Sequence, residues 1–442
     1  MAAYVAEMGM MITDMIIVGR LGSNELAAVG LTADWLYVLL LIGLGIISIV
    51  GVLAAQSLGE GDDEGIVNAA EQGMIAATIA SVPVMLSVWY LAPALSFTGQ
   101  DPDVIRLILE YSRPLAWCVL PALWFAVLRN YVTALAKASI IMSVTVAALA
   151  VNLFLNYTLV YGKFGMPALG VKGAAYGTTI VNWAMFFALA VHVSRSPEFS
   201  LHRPSVLPRR WVPGTLKEIF VLGLPITFTQ LLNGAMFTVA AVMTGALGAD
   251  ILAAQQILYA VIYFALSGSI ALADAARVRV AYGIGKRSVA AARQSANITF
   301  VFAALISAVA AGVLWLFPQA IVGIFLDTSD AANASVMLIA VGLSVYAALF
   351  QALDGVLIVI ANAVRGLRDT KSPLWISIVG YWLVGLGSGT VLCFGFDFGA
   401  AGLWQGLILG PLVAIVMMAM RFQLRLREAA ARLGGTGSAA HT

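Results

Sequence analysis

The sequence predicts an all-α integral membrane protein of about twelve transmembrane helices in two pseudo-symmetric six-helix bundles. Three observations predict it: a composition suited to lipid, twelve apolar runs of spanning length, and an internal repeat. Hydrophobic residues fill 61% of the 442 positions and charged residues only 10%, with a mean hydropathy of +0.96. A soluble domain carries roughly 25% charged residues. So little charge cannot cover a water-facing surface, so lipid is the solvent for most of this one. A formal charge of +2 points to neither nucleic acid nor an acidic partner. Cys118 and Cys393 lie in apolar runs without metal spacing, and His192, His202 and His441 are scattered. No disulfide framework, metal site or cofactor motif is expected, and no nucleophile–base constellation points to an enzyme.

A helix needs about 20 apolar residues to cross the hydrocarbon. The runs fall at 2–19, 30–57, 68–95, 107–135, 139–161, 170–194, 215–246, 252–282, 292–317, 331–364, 373–395 and 399–421. Their grouping predicts a first bundle over 1–198, a cytoplasmic linker at 199–214, a second bundle over 215–428 and a disordered tail at 429–442. The chain begins inside its first span, which is expected to be cut short at its N-terminal end. With a cytoplasmic N-terminus, 19 of the 24 Lys/Arg residues fall inside; Arg20, Arg106, Arg113, Lys163 and Lys172 fall outside. The positive-inside bias therefore predicts that both termini lie in the cytoplasm.

The halves resemble each other. GRLGSNELAAVGL (19–31) answers GALGADILAAQQI (245–257), and LGVKGAAYGT (169–178) answers FGAAGLWQGL (398–407) with Gly170, Gly173 and Gly177 on Gly399, Gly402 and Gly406. The loop at 58–65 answers 282–289 at about the same shift. Two copies with an even number of spans enter the bilayer from the same side, a common transporter plan with the substrate path between the repeats.

Carboxylates inside the spans carry the functional signal. An Asp near a helix centre costs roughly 2.5–3.5 kcal/mol on insertion scales. Glu7, Asp14, Asp34 and Asp354 fall away from span ends. Glu7 and Asp14 are two turns apart on one helix face, about 10 Å. Gln351 and Asn362 share a stripe with Asp354; Thr227, Gln230 and Asn233 make a second stripe, and Asn152 with Asn156 a third. Such faces suit a site that binds cations in competition with protons. The plainer reading is interhelical hydrogen bonding, which is as good for the Asn, Gln and Thr positions and weaker for Asp14 and Asp354. Asp274 has Arg277 at i+3 and reads equally as an ion pair. Most aromatics, Tyr381 among them, read as interfacial belt or packing.

Several segments carry a family likeness: TDMIIVGRLGSNELAAVGL (13–31), NLFLNYTLVYGKFGMPALGVKGAAYGT (152–178), GLPITFTQ (223–230), RVRVAYGIGK (277–286) and ANAVRGLRDTKSP (361–373). In these the chain resembles the multidrug and toxic compound extrusion family, in particular its NorM-like branch. The resemblance implies two six-helix bundles, a central cavity facing either side in turn, and efflux of cationic or amphiphilic drugs in exchange for Na⁺ or H⁺ across the cell inner membrane. It assigns cation coupling to Asp14 and Asp354 and matches Asn152 and Asn156 to the family's fifth-helix asparagine pair; with these, the polar faces described above make Glu7, Gln230, Asn233 and Gln351 candidates for the cavity. Asn233 departs from the pattern, standing where NorM-like members carry a glutamate. The partners expected are small cationic substrates, the coupling ion and the bilayer, with the chain as a monomer. A lipid or lipid-linked oligosaccharide flippase, or a non-transporting truncated paralogue, are the alternatives.

Overall fold

The computed structural model describes residues 2–205, 210–326 and 333–438, and each of the twelve expected spans is occupied by helix. In order they are α1 (Ala2–Gly19), α2 (Ser23–Glu60), α3 (Asp63–Trp89), α4 (the bent pair Pro102–Ala116 and Val119–Ala134), α5 (Ser139–Tyr161) and α6 (Val171–Arg195). The second set is α7 (Pro213–Gly245), α8 (Ala249–Gly285), α9 (Val289–Leu316), α10 (Ala334–Gly366), α11 (Lys371–Gly395) and α12 (Gly399–Ser438). Among the described residues ten of these are long and apolar enough to span singly, and the α4 pair makes an eleventh. In α1 the apolar stretch is the shorter Gly9–Gly19. The outward faces are apolar: Val301, Phe302, Leu305 and Val309 of α9 are all more than half exposed. At helical spacing that is a lipid-facing stripe, the inverse of a soluble helix.

The chain folds as two compact units, Met1–Thr227 and Phe228–Thr442. The boundary expected at the linker 199–214 lies instead inside α7, because the first half of that helix packs on the first unit. Thr227 Oγ1 donates to the Ile42 carbonyl at 3.0 Å, and Gly223 lies so close to Ile46 that an added Cβ would come within 2.4 Å of its carbonyl oxygen. The linker too is strapped to the first unit. Phe199 is fully buried, its ring tilted against that of Tyr131, whose hydroxyl donates to the His202 carbonyl. His202 Nε2 meets Asp63 Oδ1 at 2.6 Å. Ser205 N donates to the buried Glu71, and Gln72 Nε2 donates to the Arg210 carbonyl at 2.8 Å. Two buried polar side chains of α3 thus hold backbone that would otherwise be a free tether. At the other end, α12 continues to Ser438, into the segment expected to be a disordered tail; residues 439–442 lie outside the described set.

The repeat is visible in the backbone. Left-handed residues recur at matching places: Gly61 (φ 75°) and Arg287 (φ 55°), Gly170 and Gly399 (both φ 56°), Ala136 (φ 58°) and Arg368 (φ 59°). The first and third pairs follow helix C-termini, where a positive φ ends a helix. Directly after the first pair, Asp62 and Ser288 cap α3 and α9 by accepting from Gly65 N at 2.9 Å and Ala291 N at 3.2 Å, a contact that satisfies an otherwise unpaired amide.

After the third pair the two copies carry opposite charges. Lys137 pairs with Glu198 at 3.2 Å in the first unit. Asp369 accepts from Arg421 Nε and Arg425 Nε, each at 2.7 Å, in the second. The repeat has kept the place of the loop-to-last-helix clasp and reversed its polarity. Burial works to raise the Asp369 carboxyl, but hydrogen bonds from Arg425, Ser372 and Arg421 outweigh it and hold it below the usual carboxylate range. The stability this lends is present above the ordinary carboxylate pKa and is lost as pH falls through the lowered one. Thermal unfolding is therefore expected to show a larger acid-side loss in the wild type than in D369N, and parallel acid profiles would refute the clasp.

Candidate functional site

Asp14, on α1, meets a polar wall built by α5 and α6. Asn156 Nδ2 donates to Asp14 Oδ1, and Thr178 Oγ1 donates to Oδ2 at 3.0 Å. Asn152 lies one turn before Asn156 on the same helix. Both asparagines are at most 1% exposed, and the Oδ1 atom of each is sealed from solvent without a hydrogen-bond partner. A buried carbonyl left so costs roughly 1–3 kcal/mol. A carboxylate and amide oxygens are hard donors of the kind a small cation takes; here Asn156 presents its nitrogen to Asp14 and its oxygen to Gly177. Gly177 gives the wall its depth: a Cβ there would stand 2.1 Å from Asn156 Oδ1. A Cβ built on the counterpart Gly406 would stand 2.2 Å from the backbone of Gly389, so the close helix approach belongs to the repeat and the asparagine only to the first copy. Tyr161 ties α5 to α1 by donating to the Ile17 carbonyl at 2.7 Å, fixing Asp14 one turn away.

Asp354, on α10, is 5% exposed and accepts from the Tyr381 hydroxyl. Tyr381 lies in a π-helical stretch of α11, Ile378–Leu386. Such turns turn side chains out of α-helical register and recur at functional sites. One turn before Asp354, Gln351 is 1% exposed and neither its Oε1 nor its Nε2 has a partner. A buried primary amide with both polar atoms unpartnered, one turn from a buried carboxyl, is an arrangement that calls for an explanation beyond packing. Gly355 brings α10 against α8 and α9, where Ser269 and Ser307 hydroxyls pair at 3.2 Å.

The other candidates divide. Gln230 and Asn233 lie past the unit boundary, each with a sealed, unpartnered amide oxygen. Thr227 leaves their stripe for the Ile42 carbonyl, and Asn362 donates back to its own helix at Ile358. Glu7 is corrected: it is not a free cavity acid, since Arg129 Nη1 of α4 donates to it at 2.9 Å in a partly buried ion pair. The shared face with Asp14 holds by spacing, yet the two carboxyls serve different neighbours. Asp34 is exposed, and Asp274 pairs with Arg277 at 2.9 Å, the plainer of its two readings. Sequence reasoning missed Thr178 and set Tyr381 aside as packing. Thr178 closes the quoted motif GAAYGT, and Tyr381 was marked only by glycines at 380 and 385.

The family model described as MatE matches residues 1–158 and 225–391. The chain belongs to the MatE family. Curated relatives named "Probable multidrug resistance protein NorM" agree along nearly the whole length. That of Rhizobium meliloti is 32% identical, covering 97% of this chain and 92% of its own. That of Bradyrhizobium diazoefficiens is 34% identical over the same shares, 97% and 92%. Among solved structures, a MATE transporter in the bent conformation superposes with a TM-score of 0.88 at 18% identity, covering 98% of this chain and 94% of its own. The eukaryotic MATE transporter AtDTX14 gives 0.81 at 20% identity, with 98% and 95% covered. At those identities the structures establish the fold, which is that of a multi-pass membrane protein.

Proposed function

We propose that this MatE-family chain is a secondary antiporter that exports organic cations and amphiphilic drugs in exchange for Na⁺ or H⁺, in multidrug efflux. The observation that carries the reading is the pairing of a buried carboxyl at Asp354 with the wholly unpartnered amide of Gln351. The names of its relatives and the second carboxyl at Asp14 support it. The cation enters at a carboxylate, and efflux follows because the ion and the drug stabilise different packings of the helices. A ligand shifts such an equilibrium only by its differential affinity for the two states. Asp14 and Asp354 are the coupling groups; Asn152, Asn156, Gln230, Asn233 and Gln351 supply oxygens or amides to ion or drug. The chain performs no covalent chemistry and works as a monomer in the cell inner membrane, both termini cytoplasmic, the orientation that its Lys/Arg distribution favours. Asn233 cannot release a proton, so no part of proton coupling passes through it.

The purified protein is expected to bind ethidium more weakly as Na⁺ is added or as pH is lowered, whichever ion couples. Isotherms that superpose under both titrations would sink the antiport reading.

A further inference from the structure

The end that the Lys/Arg bias assigns to the cytoplasm is charged very differently in the two units. Of the 19 basic residues on that side, 7 belong to the first unit and 12 to the second. In the first unit the acidic run EGDDE (60–64), with Glu71, Glu198 and Glu218, matches them in number. Lys137–Glu198 at 3.2 Å and Arg210–Glu64 at 2.9 Å are pairs of this kind. In the second unit only Asp274, Asp369 and Glu428 stand on that side. The positive-inside bias acts on both units alike, so it does not explain why one of them keeps its charge uncancelled. The repeat sharpens the contrast: at the shift that sets Gly170 on Gly399, Arg427 falls on Glu198.

The cations of the second unit lie around one cluster of helix ends. A Cβ on Gly283 would stand 2.7 Å from Ala292 N, and one on Gly366 would stand 2.6 Å from the Arg277 carbonyl, so the ends of α8, α9 and α10 abut. Phe300 of α9 packs on Phe422 of α12 with ring centroids 5.6 Å apart. Asp369 ties the α10–α11 turn to Arg421 and Arg425 of α12. Around these contacts Arg287, Arg293, Lys371 and Arg427 are exposed, and none has an acidic partner among the described residues. Three of them end lipid-facing stripes. Arg293 shares a helix face with Val301 at i+8, Lys371 with Trp375 at i+4, and Arg427 with Leu424 at i−3 and Met420 at i−7. Val301, Trp375 and Met420 are all more than half exposed. A cation at the end of an apolar, outward face lies at headgroup depth, and an indole such as that of Trp375 settles at the same boundary.

We propose that the exposed cations at this end of the second unit, with Arg293, Lys371 and Arg427 foremost, hold the headgroups of anionic phospholipids. The second unit then carries a collar of acidic lipid that the charge-matched first unit lacks. A basic residue next to an anionic leaflet adds up to about fivefold to the affinity for it. An acidic soluble protein would meet the same charge, but the apolar stripes that these cations end put bilayer, not solvent, beside them.

The test is native mass spectrometry of the whole purified protein in neutral detergent, titrated with phosphatidylglycerol or with phosphatidylcholine of equal chain length. The wild type is expected to bind phosphatidylglycerol at least about tenfold more tightly, a preference that shrinks as salt screens exposed charges. The triple variant R293Q/K371Q/R427Q should bring the two lipids close to parity, and each single change should remove part of the preference. R195Q/K217Q, which takes two exposed cations from the first unit, should keep it. Because the three side chains are exposed and make no ion pair, the triple variant should unfold in neutral detergent at the wild-type temperature. If it does not, the single variants carry the test. The proposal is overturned if the wild type binds both lipids equally, which would leave the patch to a soluble acidic partner. It is overturned equally if the variants of the second unit keep the full preference, or if R195Q/K217Q loses as much of it as they do. No transport is measured, so this result and the antiport reading fail separately.

Discussion

Replacing Asp354 by asparagine is expected to abolish ion-driven efflux while leaving the helices assembled. The substitution keeps shape, and the oxygen of the new amide can still accept from the Tyr381 hydroxyl that now serves the carboxyl. Only the charge is lost. At a site 5% exposed, a cation facing an amide in place of a carboxylate gives up a charge-assisted contact of roughly 1.5–3 kcal/mol, or about ten- to a hundredfold in affinity. The larger consequence is on coupling. A neutral amide takes no proton and attracts Na⁺ weakly, so the ion gradient loses its grip on the conformational equilibrium. Everted vesicles should therefore show no gradient-dependent ethidium movement with D354N, while the protein unfolds at a temperature close to wild type. Y381F leaves the carboxyl in place and removes its donor; a milder loss, with altered ion dependence, is expected. Wild-type efflux by D354N would remove Asp354 from the mechanism and with it the observation on which antiport chiefly rests.

The fold was legible because it is written in one-dimensional terms. Spans are contiguous apolar runs, and the repeat leaves its trace in loop glycines such as Gly170 and Gly399 whose backbone needs a positive φ. The asparagines were legible for a related reason, since an amide on an apolar helix is conspicuous wherever it points. What escaped were relations across the sequence. Arg129 lies 122 residues from Glu7, and nothing in the local pattern of either announces an ion pair. Tyr381 looked like any membrane tyrosine because the feature that aims it at Asp354, the π-helical stretch of α11, changes the very register on which a helical-face argument depends. Thr178 sat in a run whose glycines explained its presence. The division of α7 between the two units escaped as well, because the linker is the visible composition break and the packing of Thr227 on Ile42 is not.

The repeat also separates scaffold from chemistry. The positions matching Asp14 and Asp354 in the opposite copy, taken at the shifts of their neighbouring turns, are Ala240 and Ala122. Where Gly177 packs against Asn156 in the first copy, Gly406 packs against Gly389 in the second. The two copies thus share a frame, and the two candidate coupling carboxyls lie on different helices of it: the first span of one copy and the fourth of the other. The loop clasps tell the same story with reversed charges at Lys137 and Asp369. Helix packing tolerates such divergence because it depends on small residues and shape, whereas each polar site needs only its own few partners.

Two separate carboxyls make the second large effect informative. D14N is expected to stop coupled efflux too, by an independent route. The amide it introduces can keep its oxygen toward Asn156 Nδ2 and turn its nitrogen to the Thr178 hydroxyl, which then accepts, so the α1–α5–α6 contact survives. The unpartnered oxygens of Asn152 and Asn156 remain, but without the carboxylate they attract a cation too weakly to hold it against water, and the expected loss is again about ten- to a hundredfold in ion affinity. T178V should cost efflux less, since it removes one donor to the carboxylate, roughly 1.5–3 kcal/mol, but leaves the charge in place. Measuring ethidium affinity against Na⁺ and against pH in D14N and D354N then assigns the ions: the titration that flattens in only one variant belongs to that carboxyl. Should D14N transport at the wild-type rate under the same gradient, its hydrogen bonds are interhelical glue and the coupling rests on the second unit alone.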